Sequence, residues 1–219
     1  MATRGLLADV VEAWQRRGGA KLRFESVGGV DAAKRVSDGE RFDVVVLAAD
    51  AIGRLAAEGR VVPGSERALA RSGVAVAVRR GARVPAIQTE AALREAVLAA
   101  RTLGYSTGPS GAALLKLFAR WGIDDVLRPR LVQAPAGIAV ATLLARGDAE
   151  LGFQQLSELI HADGIAVIGP MPPGLEIDTV FSGAVCATSA QPDAAAALLD
   201  FIGSPAADEA RRRHGLRAA

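Results

Sequence analysis

Short apolar segments alternate with amphipathic segments of helical period along most of the chain, and this alternation constrains the fold more than any other feature. A mostly parallel sheet with helices on its faces requires such repetition. Strands are predicted over residues 21–26 and 43–47, and helices over residues 4–17 and 30–38. Asp50 is expected to cap one more helix, which would end at a glycine. The sequence therefore predicts an α/β protein.

Two longer segments, residues 73–79 and 179–187, carry no helical period and are predicted as strands. Between and after them the alternation resumes, with helices predicted over 89–100, from 110, 138–146, 154–160 and 192–213, and strands over 102–105, 131–133 and 150–153. We therefore predict two α/β lobes. Residues 1–75 and 190–219 form the first lobe, residues 82–177 form the second, and residues 73–81 and 178–189 are crossover strands acting as a hinge.

Composition excludes several classes of function. The 219 residues include 26 Lys and Arg against 24 Asp and Glu, so the net charge of +2 predicts no nucleic-acid partner. A single cysteine, Cys186, excludes an intrachain disulfide, and two histidines are too few for a histidine-built metal site. No apolar run approaches the about 20 residues of a membrane helix. We expect neither a metal nor a cofactor.

Three predicted helices begin with small or polar residues directly after a strand, at residues 26–29, 107–111 and 134–137. A helix start presents unpaired N–H groups and the positive end of the helix dipole, which favours binding of an oxyanion or a carboxylate. In an open α/β sheet such loops lie at the carboxyl ends of the strands, where ligands usually bind. The same residues also make ordinary turns and caps, so each loop alone leaves both interpretations open.

No sequence motif of a known catalytic or nucleotide-binding site is present. The chain contains no GxGxxG, phosphate-binding loop, GxSxG or HExxH pattern. His161 and His214 lie near predicted helix ends, where a histidine has a dipole role without catalysis, and Cys186 lies in an apolar strand. We predict no catalytic residue. Gln154 and Gln155 follow a strand and can donate to an anion, although only one of two consecutive residues is expected to face a site.

Residues 43–52 with 62–65, residues 71–78 and residues 150–160 resemble the molybdate-binding branch of the bacterial periplasmic solute-binding proteins of ABC transporters. The resemblance covers nearly the whole chain. It implies a type 2 periplasmic-binding-protein fold, in which two α/β lobes are joined by two crossover strands and a ligand binds in the cleft. It also implies a periplasmic location, a monomer and delivery of the ligand to a membrane permease.

Position by position, the resemblance assigns ligand-binding roles to Thr3, Arg4, Gly28, Gly29, Ala49, Asp50, Ser110, Gly111, Gly137, Ile138 and Gln155. Two glycines stand where the family usually has a serine cluster, and Gln155 stands at the place of a tyrosine. Arg4 would favour a carboxylate, because a guanidinium binds carboxylates bidentately. The expected ligand is therefore molybdate, tungstate or an organic carboxylate.

The N-terminal region departs from the family pattern. A first strand is expected before the helix that begins near Thr3, and in this sequence it is missing. Residues 1–12 also lack the apolar run of a secretory signal, so the protein would be cytoplasmic if Met1 is the true start. Two alternatives follow. One is an enzyme resembling aconitate isomerase, acting on small polycarboxylates, and the other is a cytosolic anion sensor.

Overall fold

The computed structural model describes residues 2–219, and the chain divides into two compact units. Unit 1 consists of Met1–Ser72 and Thr179–Ala219, and unit 2 consists of Gly73–Asp178. In chain order the elements are α1 (Arg4–Arg16), α2 (Gly29–Ser37), β1 (Val44–Ala48), α3 (Ala49–Ala57), β2 (Arg67–Arg79), α4 (Glu90–Ala99), β3 (Leu103–Tyr105), α5 (Pro109–Arg120), α6 (Asp124–Leu127), β4 (Leu131–Gln133), α7 (Val140–Arg146), β5 (Leu151–Gln155), α8 (Leu156–Leu159), β6 (Ile165–Pro170), β7 (Asp178–Val185), α9 (Pro192–Gly203) and α10 (Asp208–Arg213).

Unit 1 is built on an antiparallel pair of strands with helices packed against it. β1 pairs with β7, with Val44 opposite Val185 and Ala48 opposite Phe181. One buried cluster joins α1 to α9 through Leu6, Val10 and Leu199. A second cluster packs β1 against α2 and α3. The apolar faces that the sequence periodicity predicts are therefore the faces that form the core.

A buried arginine connects the C-terminal end of unit 1 to its sheet. Arg211 in α10 is 2% exposed, and its guanidinium donates to the carbonyl oxygens of Leu69 (2.8 Å), Ile202 (2.6 Å) and Ser204 (3.1 Å). It also forms an ion pair with the Asp208 carboxylate. A buried charge is tolerated when it is paired and hydrogen-bonded, and four hydrogen bonds, one of them to Asp208, satisfy most of the guanidinium donors here.

Unit 2 contains a mixed sheet covered by helices. β2 pairs antiparallel with β5, and β6 also pairs antiparallel with β2. β3 lies between β4 and β5 and is parallel to both. α7 packs closely on this sheet, since a Cβ at Gly104 or Gly152 would come within 3.0 Å of the Val140 side chain. The carboxyl ends of three parallel strands therefore meet at one edge of unit 2.

The predicted α/β class is confirmed, and most predicted elements match an observed one within a few residues. Thr89, the first residue of the helix predicted over 89–100, is the N-cap of α4, its hydroxyl accepting from the N–H of Ala92 at 3.2 Å. Asp50 does not cap α3: the N-cap is Ala48, and the Asp50 carboxylate instead accepts from Arg54 at 3.1 Å. The helix predicted from residue 154 begins at Leu156, because Gln154 and Gln155 extend β5. β6 was not predicted.

The strand predicted over residues 21–26 is wrong. Residues 19–28 form no strand, although their side chains have a suitable composition. A strand needs a neighbouring strand to pair its N–H and C=O groups, and none of the described strands lies beside this segment. Phe24 and Val27 are consequently 39% and 37% exposed.

None of the helices within residues 2–219 is both long enough and apolar enough to cross a membrane.

Candidate functional site

Three segments of unit 2, at the carboxyl ends of β3, β4 and β5, lie at the shared edge of this sheet. They contain all five positions predicted in this part of the chain: Ser110, Gly111, Gly137, Ile138 and Gln155. The parallel arrangement of the three strands places the ends of all three on one side. The structure therefore brings these five positions to one edge.

The first of these segments leads into α5 and provides a buried hydroxyl. Ser110 is 6% exposed, and its Oγ lies 3.1 Å from the Oγ of Ser106. Gly111 follows at a position where a Cβ would overlap the carbonyl oxygen of Ser106. A glycine is therefore needed for the chain to turn this closely into the helix.

The second segment, residues 134–139, is called the 134–139 loop below. The N–H of Ala134 donates to the carbonyl oxygen of Tyr105 at 2.8 Å, and the N–H of Ile138 donates to that of Pro135 at 3.0 Å. Gly137 has a φ of 78° within this turn, a conformation that favours glycine. The N–H of Ile138 is therefore hydrogen-bonded within the loop. The N–H groups of Ala136, Gly137 and Ala139 make no hydrogen bond within residues 2–219.

The third segment is the end of β5, whose last residues are Gln154 and Gln155, and α8 follows it directly. Gln154 and Gln155 are 2% and 4% exposed, so both side chains are buried. The Gln154 Oε1 accepts from the N–H of Val140 at 2.8 Å, and its Nε2 donates to Glu158 Oε2 at 2.8 Å. Burial raises the pKa of Glu158 above its ordinary value.

Sequence reasoning missed Glu158. It was treated as one residue of a predicted helix, although its spacing of four from Gln154 was a possible signal. A partly buried carboxyl whose pKa is raised keeps its proton to a higher pH than an exposed one, which makes Glu158 a candidate for acid–base chemistry.

The six predicted positions of unit 1 lie at three helix starts. Thr3 is the N-cap of α1 but its side chain makes no capping hydrogen bond, and Arg4 is exposed. Gly28 and Gly29 are the N-cap and first residue of α2, and the nearest atom to a Cβ on Gly29 would be 3.9 Å away, in Leu47. Ala49 and Asp50 open α3 and are exposed. These positions offer N–H groups at helix starts with small or flexible side chains.

The described residues contain no group of three or more His, Cys, Asp or Glu side chains arranged to hold a metal ion. Cys186 is 1% exposed, and burial raises the pKa of its thiol to about 11, so the thiol is protonated at neutral pH. His214 pairs with Asp9 at 3.0 Å in unit 1. The chemistry that the candidate positions support is hydrogen bonding to an anion, by neutral donors in unit 2 and by helix-start N–H groups with the Arg4 guanidinium in unit 1.

The fold is that of a type 2 periplasmic binding protein. A family model described as bacterial extracellular solute-binding protein matches residues 1–217, and the chain belongs to this family. The structure of the periplasmic molybdate-binding protein of Azotobacter vinelandii aligns with a TM-score of 0.80 at 20% identity, covering 98% of this chain and 94% of that one. The predicted fold is therefore confirmed.

Two proteins similar in sequence to this chain have names that indicate different functions. The chain is 35% identical over 219 residues to an aconitate isomerase of Pseudomonas sp, covering 97% of this chain and 83% of the relative. It is 28% identical over 183 residues to the molybdate-binding protein ModA of Rhodobacter capsulatus, covering 83% of this chain and 71% of the relative. The family resemblance found in the sequence is confirmed by these matches.

Proposed function

We propose that the protein binds a small anion, either a molybdate-like oxyanion or an organic carboxylate, as the periplasmic substrate-binding component of an ABC transporter. The observation that carries this proposal is the shared edge of β3, β4 and β5. There the Ser110 hydroxyl, the free N–H of Gly137 and the Gln155 amide follow three neighbouring strands. Neutral donors at helix starts and loops are suited to bind oxyanions and carboxylates.

Several features of the proposed function come from the family resemblance. They are contacts from Thr3, Arg4, Gly28, Gly29, Ala49 and Asp50, closure of the hinge on binding, a monomeric state and a permease partner. The exposed Arg4 side chain supports a carboxylate ligand over a metal oxyanion, because its planar guanidinium matches carboxylate geometry.

Isothermal titration with molybdate, sulfate, citrate and trans-aconitate tests the proposal. The Gly111→Ala variant is expected to weaken binding by about tenfold or more, because its Cβ would displace the start of α5. Gly53→Ala is the matched control, since a Cβ there meets nothing within 4 Å. Wild-type protein that releases no heat with any of the four anions would contradict the proposal.

A second candidate function is the isomerisation of aconitate, favoured by the 35% identity over nearly the whole chain. This reaction moves a proton and a double bond within an unsaturated tricarboxylate. A base must remove a proton from the methylene carbon, and the acid so formed must return a proton to the carbon at the far end of the allylic system. We propose Glu158 for both steps, since its carboxyl lies at the candidate edge and its pKa is raised by burial.

Proton NMR of cis- and trans-aconitate incubated with the protein separates the two functions. An isomerase is expected to interconvert the isomers, and Glu158→Gln is expected to bind the substrate while losing the conversion. In D2O, the wild-type enzyme would also introduce deuterium at the exchanging carbon. Absence of conversion at high protein concentration would remove this second function and leave anion binding intact.

A further inference from the structure

The buried amide of Gln154 connects two parts of unit 2 that no sequence signal links. Its Oε1 accepts from the N–H of Val140, the first residue of α7, and its Nε2 donates to the Glu158 carboxylate in α8. Gln154 was singled out from the sequence but is not among the predicted ligand contacts. Its neighbour Gln155 has that predicted role.

The orientation of the Gln154 amide is fixed by its two partners. A backbone N–H can only donate, so Val140 requires the amide oxygen. A carboxylate oxygen accepts, so Glu158 is matched by the amide nitrogen. A rotation of the amide by 180° would place the amide NH2 of Gln154 against the N–H of Val140, and both groups are donors. Gln154 is 2% exposed, so water cannot readily replace the lost bonds.

Both ends of the 134–139 loop are held by this arrangement. At one end, Ala134 is bonded to the last residue of β3. At the other, the N–H of Val140 is bonded to Gln154, and the Val140 side chain rests on Gly104 and Gly152 of the sheet. Between these anchors, the free N–H groups of Ala136, Gly137 and Ala139 lie in a loop whose residues are mostly exposed.

We propose that Gln154 is a positioning residue that holds the 134–139 loop in the conformation that binds the anion. This inference rests on the proposed function and deepens it, because it explains how a loop with few bonds of its own is kept in place before the ligand arrives. A loop that must be ordered during binding subtracts that ordering cost from the affinity, whereas a loop already anchored does not. The free N–H groups can then meet an oxyanion without rearrangement.

The test compares Gln154→Leu with Gln88→Leu in titrations with molybdate and citrate. Gln88 is the control at an exposed position, because its Oε1 also accepts from a backbone N–H, that of Ile87 at 3.1 Å, in another segment of unit 2. Gln154→Leu removes two hydrogen bonds, of which the one to Val140 holds the loop, and it is expected to weaken binding about five- to tenfold. Gln88→Leu is expected to leave binding unchanged. Gln154→Met carries the same comparison if Gln154→Leu does not fold.

Amide exchange measured by NMR supplies a readout that overall stability does not move. The expected result is faster exchange at Val140 in Gln154→Leu, with unchanged exchange rates in the rest of the unit 2 sheet and with reduced protection of Gly137 on binding. Wild-type protein that binds neither anion refutes the proposed function. Wild-type binding with equal affinity in both variants refutes the positioning role, as does a loss of affinity matched by a general loss of stability.

Discussion

Replacement of Arg211 by methionine is expected to destabilise unit 1 strongly. The substitution keeps the unbranched stem but removes the donors to the carbonyl oxygens of Leu69, Ile202 and Ser204. Each buried acceptor left without a partner costs about 1–3 kcal/mol, so three of them give about 4 kcal/mol once partial access to water is allowed. This is a large share of the about 5–15 kcal/mol by which a typical protein is stable.

Urea unfolding followed by tryptophan fluorescence measures this loss in the correct unit. The chain has two tryptophans, Trp14 in unit 1 and Trp121 in unit 2, so a Trp121→Phe background leaves Trp14 as the reporter. Arg212→Met is the matched control, because Arg212 is the exposed neighbour in the same helix and is expected to cost less than about 0.5 kcal/mol. A difference between the two variants below about 1 kcal/mol would refute the reasoning.

Three further predictions follow from burial and close packing. Cys186 is expected to resist Ellman's reagent in the native protein and to react rapidly in urea, because burial keeps its pKa near 11 and its sulfur inaccessible. Glu158→Gln is expected to be more stable than wild type at pH 8, and the difference in Tm is expected to vanish towards pH 4. The reason is that a carboxyl with a raised pKa in the folded state contributes its full stability below the ordinary carboxyl pKa of 4.5. That contribution is lost as the pH rises through the raised pKa. Gly152→Ala is expected to lower stability by about 1–3 kcal/mol in chemical denaturation, because its Cβ would press on Leu144 and Val140.

Each of these three measurements has a result that would count against it. Rapid labelling of Cys186 without denaturant would show that the thiol is accessible. Parallel Tm curves of Glu158→Gln and wild type from pH 4 to 8 would show that the carboxyl titrates normally. A stable Gly152→Ala protein would show that α7 can shift away from the sheet. Gly174→Ser is a comparison variant that introduces backbone strain without crowding, because Gly174 has a φ of 84° and a Cβ there meets nothing within 4 Å.

The regular elements were predictable because local patterns determine them. Periodic apolar residues locate α1 and α9, and Thr89 caps α4 through its own hydroxyl. The strand predicted over residues 21–26 failed because pairing depends on a neighbour that no local pattern reveals. β2 begins at Arg67, six residues before its predicted start, because it has neighbours that no local pattern reveals. β7 lies beside β2 in the sheet, and an isolated bridge joins Arg71 to Arg217.

The candidate site was predictable only in part. Strand order places Ser110, Gly137 and Gln155 at one edge, and the sequence indicated each of these loops separately. The sequence did not predict which backbone N–H groups are already hydrogen-bonded. The N–H of Ile138 donates within a turn, and the N–H of Val140 donates to Gln154. The bond from Val140 to Gln154 joins residues 14 positions apart in the chain, and its geometry arises only when β5 and α7 have packed.

The division of the chain between the two units affects how the protein folds during synthesis. Unit 2 is one uninterrupted stretch of 106 residues, from Gly73 to Asp178, and leaves the ribosome with all of its strands and helices present. Unit 1 has β1 from its first segment, but the paired strand β7 and the helices α9 and α10 are made last. Until then, the edge of β1 that pairs with β7 and the face of α1 that packs on α9 stay uncovered, so unit 1 can be completed only after its C-terminal segment has been made.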